Sequence, residues 1–242
     1  MGIATIMILA LTHAWADPCP DIGKPGIWAR TATYLCSRAT DSGFVRDIRV
    51  FSPDKKKFVH IVNNHWIVEI GTKRLETGDK DSYVSFYPAE LSWSPDSKAF
   101  YITQSDATSE INGFHTEVFF VSEDAVTKAP DINQPVHNRF DHHHQCSLKF
   151  DHNSEVRERN FNIAALGWDR NSSQLLVVAE IPADSDCGSR GYFGGYLLNV
   201  AETRITGEYS PHELIARWRA AIGQRLRENY RAMSLSEQRE NP

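Results

Sequence analysis

Apolar and polar residues follow one template three times along this chain. Phe51-Ser52-Pro53-Asp54 leads into Lys57-Phe58-Val59-His60-Ile61, and Trp93-Ser94-Pro95-Asp96 leads into Ala99-Phe100-Tyr101-Ile102. Trp168-Asp169-Arg170-Asn171 leads in the same way into Gln174-Leu175-Leu176-Val177-Val178. In each copy an aromatic residue precedes a turn and a short run rich in β-branched or aromatic residues, which predicts strands over 57–62, 99–104 and 174–180. The turn chemistry has a physical reason: proline presets φ for a type I turn, and Asp or Asn caps it through its own side chain. A second apolar run follows at a matched offset: Ile67-Val68-Glu69-Ile70 to Leu75, Val118-Phe119-Phe120-Val121 to Val126, and Leu197-Leu198-Asn199-Val200 to Ile205. Charged turns such as Gly71-Thr72-Lys73-Arg74 and Ala201-Glu202-Thr203-Arg204 close each meander. Repetition at fixed spacing predicts an all-β chain of like units.

The Trp-Ser-Pro-Asp-x-Lys-x-Phe segment at 93–100 and its relatives resemble the WD40-like repeat of TolB-type β-propellers, and 196–205 resembles the closing half of the same blade. The resemblance covers 45–126 and 162–208 and departs at Asp169-Arg170-Asn171, where turn formers still stand. It implies a small or incomplete β-propeller of about three to four antiparallel blades, fewer than most closed propellers have. The exposed edges then need cover. Residues 26–47 can supply a further blade or the outer strand of the first, the insertion at 127–159 can hide another, or two chains can pair edge to edge as a homodimer. Propellers of this type serve as binding platforms, peptidase gates and lyase scaffolds, so the resemblance fixes no ligand.

After the propeller-like domain at 17–208, the chain changes character. Ser210-Pro211-His212-Glu213 combines a serine N-cap, proline at the first helical position and Glu at the third, the signature of a helix start. Leu214, Trp218, Ala221, Ile222, Leu226 and Tyr230 recur at helical spacing, while Arg217, Arg219, Arg225, Arg227 and Arg231 take other positions. One amphipathic helix docked on the β core is expected within 209–242, with a frayed tail from Ser234.

With 242 residues, 41% of them hydrophobic, the chain can bury a substantial core, and its net charge of -5 argues against nucleic acid as a partner. The apolar run at 3–11 and Ala14-Trp15-Ala16 before Asp17 predict a signal peptide over 1–16 and a secreted or periplasmic protein without a transmembrane segment after processing. Cys19, Cys36, Cys146 and Cys187 all follow that site, which fits two disulfides in an oxidising compartment. Three pairings are open. Cys19 with Cys36 and Cys146 with Cys187 is favoured, because it ties down the N-terminal segment and pins the insertion to a hairpin.

Candidate chemistry lies in two places. The insertion carries His137, Asp141, His142, His143, His144, Asp151 and His152, the ligand types that zinc and copper prefer. In an extended chain His142 and His144 share a face and His143 does not, so a site would draw on His142, His144, His137 and Asp141; otherwise the run is a solvated loop. In the glycine-rich stretch 188–195, Arg190, Tyr192 and Phe193 are expected on an exposed hairpin loop as partner contacts. Asp54 and Asp96 are read as turn residues, and Trp93 and Trp168 as core anchors. No Gly-x-Ser-x-Gly elbow is present. The expected function is recognition of a protein or an envelope polymer, without covalent chemistry and without a resident cofactor. The alternative is a metal-binding protein or metal-dependent enzyme using zinc or copper at the histidine-rich insertion; a third reading is a subunit whose open blade edge a partner completes.

Overall fold

Each copy of the template folds as one antiparallel meander. The computed structural model describes residues 26–35, 38–40, 43–77, 82–85, 89–105, 113–143, 161–182 and 190–240. The expected signal peptide at 1–16, all four cysteines with their expected disulfides, and His144, Asp151 and His152 lie outside the described residues.

Strands β1 (Thr33–Leu35), β2 (Arg38–Thr40) and β3 (Gly43–Val45) precede the first repeat, which forms β4 (Asp47–Phe51), β5 (Lys57–Val62), β6 (His65–Ile70) and β7 (Lys73–Leu75). The second forms β8 (Ala89–Trp93), β9 (Ala99–Ser105), β10 (Phe114–Val121) and β11 (Val126–Lys128), followed by helix α1 (Asn133–His143). The third forms β12 (Asn162–Trp168), β13 (Gln174–Glu180), β14 (Phe193–Asn199) and β15 (Arg204–Tyr209), followed by α2 (Pro211–Trp218) and α3 (Gln224–Glu240). The described chain is therefore mostly β, in sheets ordered β4-β5-β6-β7, β1-β8-β9-β10-β11 and β12-β13-β14-β15, and among the described residues they form no closed propeller. Among its described residues, the segment 26–47 forms no four-stranded blade of its own and adds no strand outside β4 and β7 to the first sheet. Instead β1 pairs with β8, Thr33 opposite Leu91, while β2 and β3 form a separate two-stranded sheet.

The aromatic-led turns are one object built three times. Lys55 N–H donates to Ser52 O at 2.9 Å, and the Asp54 carboxylate accepts from the Ser52 hydroxyl at 2.6 Å and Lys56 N–H at 3.0 Å. Ser94, Asp96, Ser97 and Lys98 repeat the arrangement. In the third copy Asp169 stands at the serine position, and its carboxylate alone accepts from Ser173 N–H at 2.8 Å and Gln174 N–H at 2.9 Å. One side chain thus does the work of two, which is why the loss of Ser-Pro-Asp leaves the turn intact. The turns are also tied in series: Asp54 N–H donates to the Ser97 hydroxyl at 3.1 Å, and Asp96 N–H to the Ser172 hydroxyl at 3.0 Å. Trp93 adds an indole N–H to Val50 O at 2.9 Å, so it anchors the second sheet on the first.

Apolar layers separate the sheets. Val59, Ile61 and Trp66 of the first face Leu91, Phe100 and Phe119 of the second, with Trp66 edge-on to Phe119 at 4.6 Å. Tyr101 and Val118 of the second meet Ala165, Leu175, Val177 and Leu198 of the third, with Val136 and Phe140 of α1 in the same layer. There β12 is held by hydroxyls, since Ala165 N–H donates to Thr116 Oγ1 at 3.0 Å. The register shifts between Ala165 and Gly167, a bulge where φ of 152° suits glycine alone.

The far face of the third sheet is sealed by the C-terminus, but not by one helix. The capping box at Ser210 and Glu213 forms as expected. The helix then stops after Trp218 and restarts at Gln224, because the backbone between pairs with the N-terminal arm. Arg30 N–H donates to Ala221 O at 2.8 Å and Gly223 N–H to Trp28 O at 2.6 Å. A side chain at Gly223 would collide with the Ile27 carbonyl, so only glycine allows this approach. Leu214, Ile222 and Leu226 still bury together with Trp28 on Leu176 and Val178. The expected fraying from Ser234 does not occur either, since α3 runs to Glu240.

Candidate functional site

Helix α1 places the histidine-rich run. It begins where Asp131 accepts from Asn133 N–H at 2.8 Å and the Asn133 side chain bonds Thr116 N–H and C=O, both at 2.9 Å. Val136 and Phe140 then bury its inner face. The run is thus helical up to His143, neither extended nor a solvated loop, and the alternation expected for 142–144 does not apply to its described part. His137 is half-buried with its ring 5.1 Å from that of Phe161, Asp141 follows one turn later, and His142 is exposed. Among the described residues no three His, Cys, Asp or Glu side chains converge on a metal-sized site.

The glycine-rich stretch is also rearranged. Arg190 is exposed, as expected, but Tyr192 is half-buried and Phe193 is completely buried. β14 starts at Phe193, whose side chain falls on the face that α2 and α3 cover. Phe193 is therefore a core residue, not a partner contact.

Tyr192 leads to a cleft of about 410 Å³ where β15 ends and α2 begins. Its floor is the bare backbone of Gly194 and Gly195. Strand alternation puts Tyr192, Gly194 and Tyr196 on one face, and Gly195 pairs across the ladder with Tyr209. Among the described residues, Glu208 and Glu213 are the two charged side chains that line it, and both are carboxylates. Leu214 of α2 packs where a Gly195 side chain would stand, which brings the helix start against the strand.

Each group is held by a neighbour. Phe140 stacks on Tyr192, centroids 6.3 Å apart. Arg139 of α1 donates from Nε to Glu208 Oε1 at 2.8 Å, and the Arg217 guanidinium lies 5.6 Å from the centroid of the Tyr209 ring. Ser210 N–H and the Ser210 hydroxyl both donate to Glu213 Oε2 at 2.9 Å, which holds that carboxyl below its usual range and keeps it ionised. Glu213 Oε1 has no hydrogen-bond partner among the described residues. Burial raises the phenol of Tyr192, and burial together with Glu208 raises that of Tyr196, so both stay neutral at physiological pH. Tyr196 is only 4% exposed, its hydroxyl lies over Gly194, and no partner for that hydroxyl occurs among the described residues. The Ser210 hydroxyl is engaged in the helix cap and is not poised as a nucleophile. Chemically, the cleft can hold a ligand between aromatic faces and acceptors.

Two buried carboxylates serve the scaffold. Glu180, at the end of β13, receives Nε of Arg225 at 3.0 Å, the Asn162 amide at 2.7 Å and the Asn229 amide, while Arg225 also lies over the Trp28 ring at 4.7 Å. Glu90 on β8 accepts from Trp28 N–H at 2.8 Å and Ala29 N–H at 3.0 Å, and burial pushes it up to about 7 against those bonds. Both fasten the arm at 26–30 and α3 to the sheets.

Sequence reasoning found Tyr192 and missed Tyr196, Glu208, Tyr209 and Glu213 as residues of this cleft. One signal was available: two tyrosines flanking a glycine at strand period, which leaves a gap between aromatic walls. No protein-family model matches the chain, and no curated protein is significantly similar to it.

Proposed function

We propose that this chain is an exported recognition protein, built on three blades of an incomplete TolB-like β-propeller, that binds a protein or an envelope polymer without covalent chemistry. The carrying observation is the cleft between Tyr192, Tyr196 and Tyr209, which joins aromatic walls, a bare glycine floor and the unengaged Oε1 of Glu213. Concave sites with a few convergent polar groups are where ligands bind. The propeller assignment is supported by the matched turns and their serial bonds, which give successive sheets one repeated relation. Export is supported by Ala14-Trp15-Ala16 and four cysteines beyond it. No helix among the described residues is long and apolar enough to cross a membrane.

The test is a screen of immobilised peptides and glycans with the full chain and with Tyr192→Ala/Tyr209→Ala. Binders whose signal falls about tenfold or more in the double variant are expected, the size of losing aromatic anchors. Binding that is undiminished in the variant for every probe would overturn the cleft as the recognition site.

A further inference from the structure

We infer that the cleft takes a basic side chain, the ammonium of a lysine or the guanidinium of an arginine presented by a protein partner. The inference rests on the recognition reading above and names its ligand class. The balance of donors and acceptors points this way. Among the described residues that line the cleft, both charged side chains are carboxylates, Glu208 and Glu213, and none is a lysine or arginine. Glu213 Oε1 has an unused acceptor, held ionised by the capping bonds to its other oxygen. Tyr196, almost wholly buried, leaves its hydroxyl over the Gly194 floor, where it can accept from an N–H. The walls are tyrosine rings, whose faces attract cations.

The chain's own arginines use the same groups from outside. Arg139 donates to Glu208 and Arg217 sits over Tyr209, so one guanidinium at the rim already finds the carboxylate and another the aromatic face. A neutral sugar would also stack on tyrosine, but it would leave ionised Glu213 facing hydroxyls where a charged donor binds more strongly. The carboxylate of an acidic ligand would face two like charges.

The test uses the full chain in a ¹H–¹⁵N NMR titration, reading the amides of Gly194, Gly195 and Ser210. The probes are N-acetyl-lysine N-methylamide, N-acetyl-arginine N-methylamide, the uncharged N-acetyl-norleucine N-methylamide, and a neutral chito-oligosaccharide. The two cationic probes should shift these amides saturably and norleucine should not. Glu213→Gln should weaken the cationic probes about fivefold while glutamine keeps the capping box formed. Raised salt should weaken them in parallel. Norleucine binding as well as lysine, or Glu213→Gln binding lysine undiminished, would overturn the inference. If the oligosaccharide alone moves the cleft amides, the cationic class falls and recognition at the cleft stands. If no probe moves them, the class falls as well, and the immobilised-probe screen decides recognition separately.

Discussion

The two ends of the sheet stack meet opposite fates. At the third sheet the outward face is mostly apolar, and Trp28, Leu214, Ile222 and Leu226 seal it around the Glu180–Arg225 pair. At the first sheet the outward face stays in water, with Phe51 55% exposed and Val62 44% exposed. The repeat makes the difference legible position by position. Phe51 stands where Trp93 anchors the second sheet on the first, and Arg49 and Asp47 stand where Leu91 and Ala89 are buried. His60, opposite Arg49, places Nε2 2.9 Å from Asp47 and Nδ1 3.1 Å from Glu69, and Arg49 lies over the Phe58 ring at 5.5 Å. A face that satisfies its own polar groups in this way behaves as the solvated terminal cap of a repeat array. An end sealed by covalently attached helices can instead carry a cleft at its rim, because the helix start supplies one wall. The lesson is that the more exposed aromatic face is not the better candidate for recognition.

The comparison breaks first at the sealed end. Arg225→Ala strands Glu180, whose side chain is 1% exposed, and should cost about 3–5 kcal/mol in urea unfolding, as removal of one partner of a buried pair does. The matching change on the solvated end, His60→Ala, frees Asp47 to water and should cost about 1 kcal/mol or less. Leu214→Ala should cost about 3 kcal/mol through the cavity left over Gly195, whereas Phe51→Ala should stay within about 0.5 kcal/mol. Equal losses at the two ends would remove the asymmetry.

Glu90 gives the sealed end a pH dependence. Its carboxyl is raised from 4.5 to about 7 by burial, so the folded state binds the proton more tightly than the unfolded chain. That stabilisation is fully present below about 4.5 and is lost as pH rises through about 7, a change on the order of 3 kcal/mol. Chemical denaturation between those limits should show stability falling with pH, and Glu90→Gln should flatten the slope. Between the sheets, Ser172→Ala removes the hydroxyl tie to Asp96 N–H and should cost about 1 kcal/mol.

Sequence patterning carried the turns, the strands and the start of α2, because each is decided by residues within a few positions of one another. Ser52, Pro53 and Asp54 close their turn by themselves, and Ser210 and Glu213 cap their helix by themselves. The helix break at 219–223 was not legible, since its cause is the distant arm at 27–30 meeting Gly223. Arg225 likewise reads as a polar-face residue on helical spacing until Glu180 is brought beneath it. The cleft draws on β14, β15 and the first turn of α2, with α1 and its Arg139 beside it, so local pattern reaches only the Tyr192-Gly194-Tyr196 alternation on β14 and not Glu208, Tyr209 or Glu213.

Hydrogen exchange of the full chain, alone and with the tightest basic peptide from the immobilised screen, compares the two ends directly. Added protection over 192–196 and 208–213 with 47–62 unchanged is the predicted result. Protection over 47–62 with the cleft unchanged would place recognition on the solvated face and contradict it.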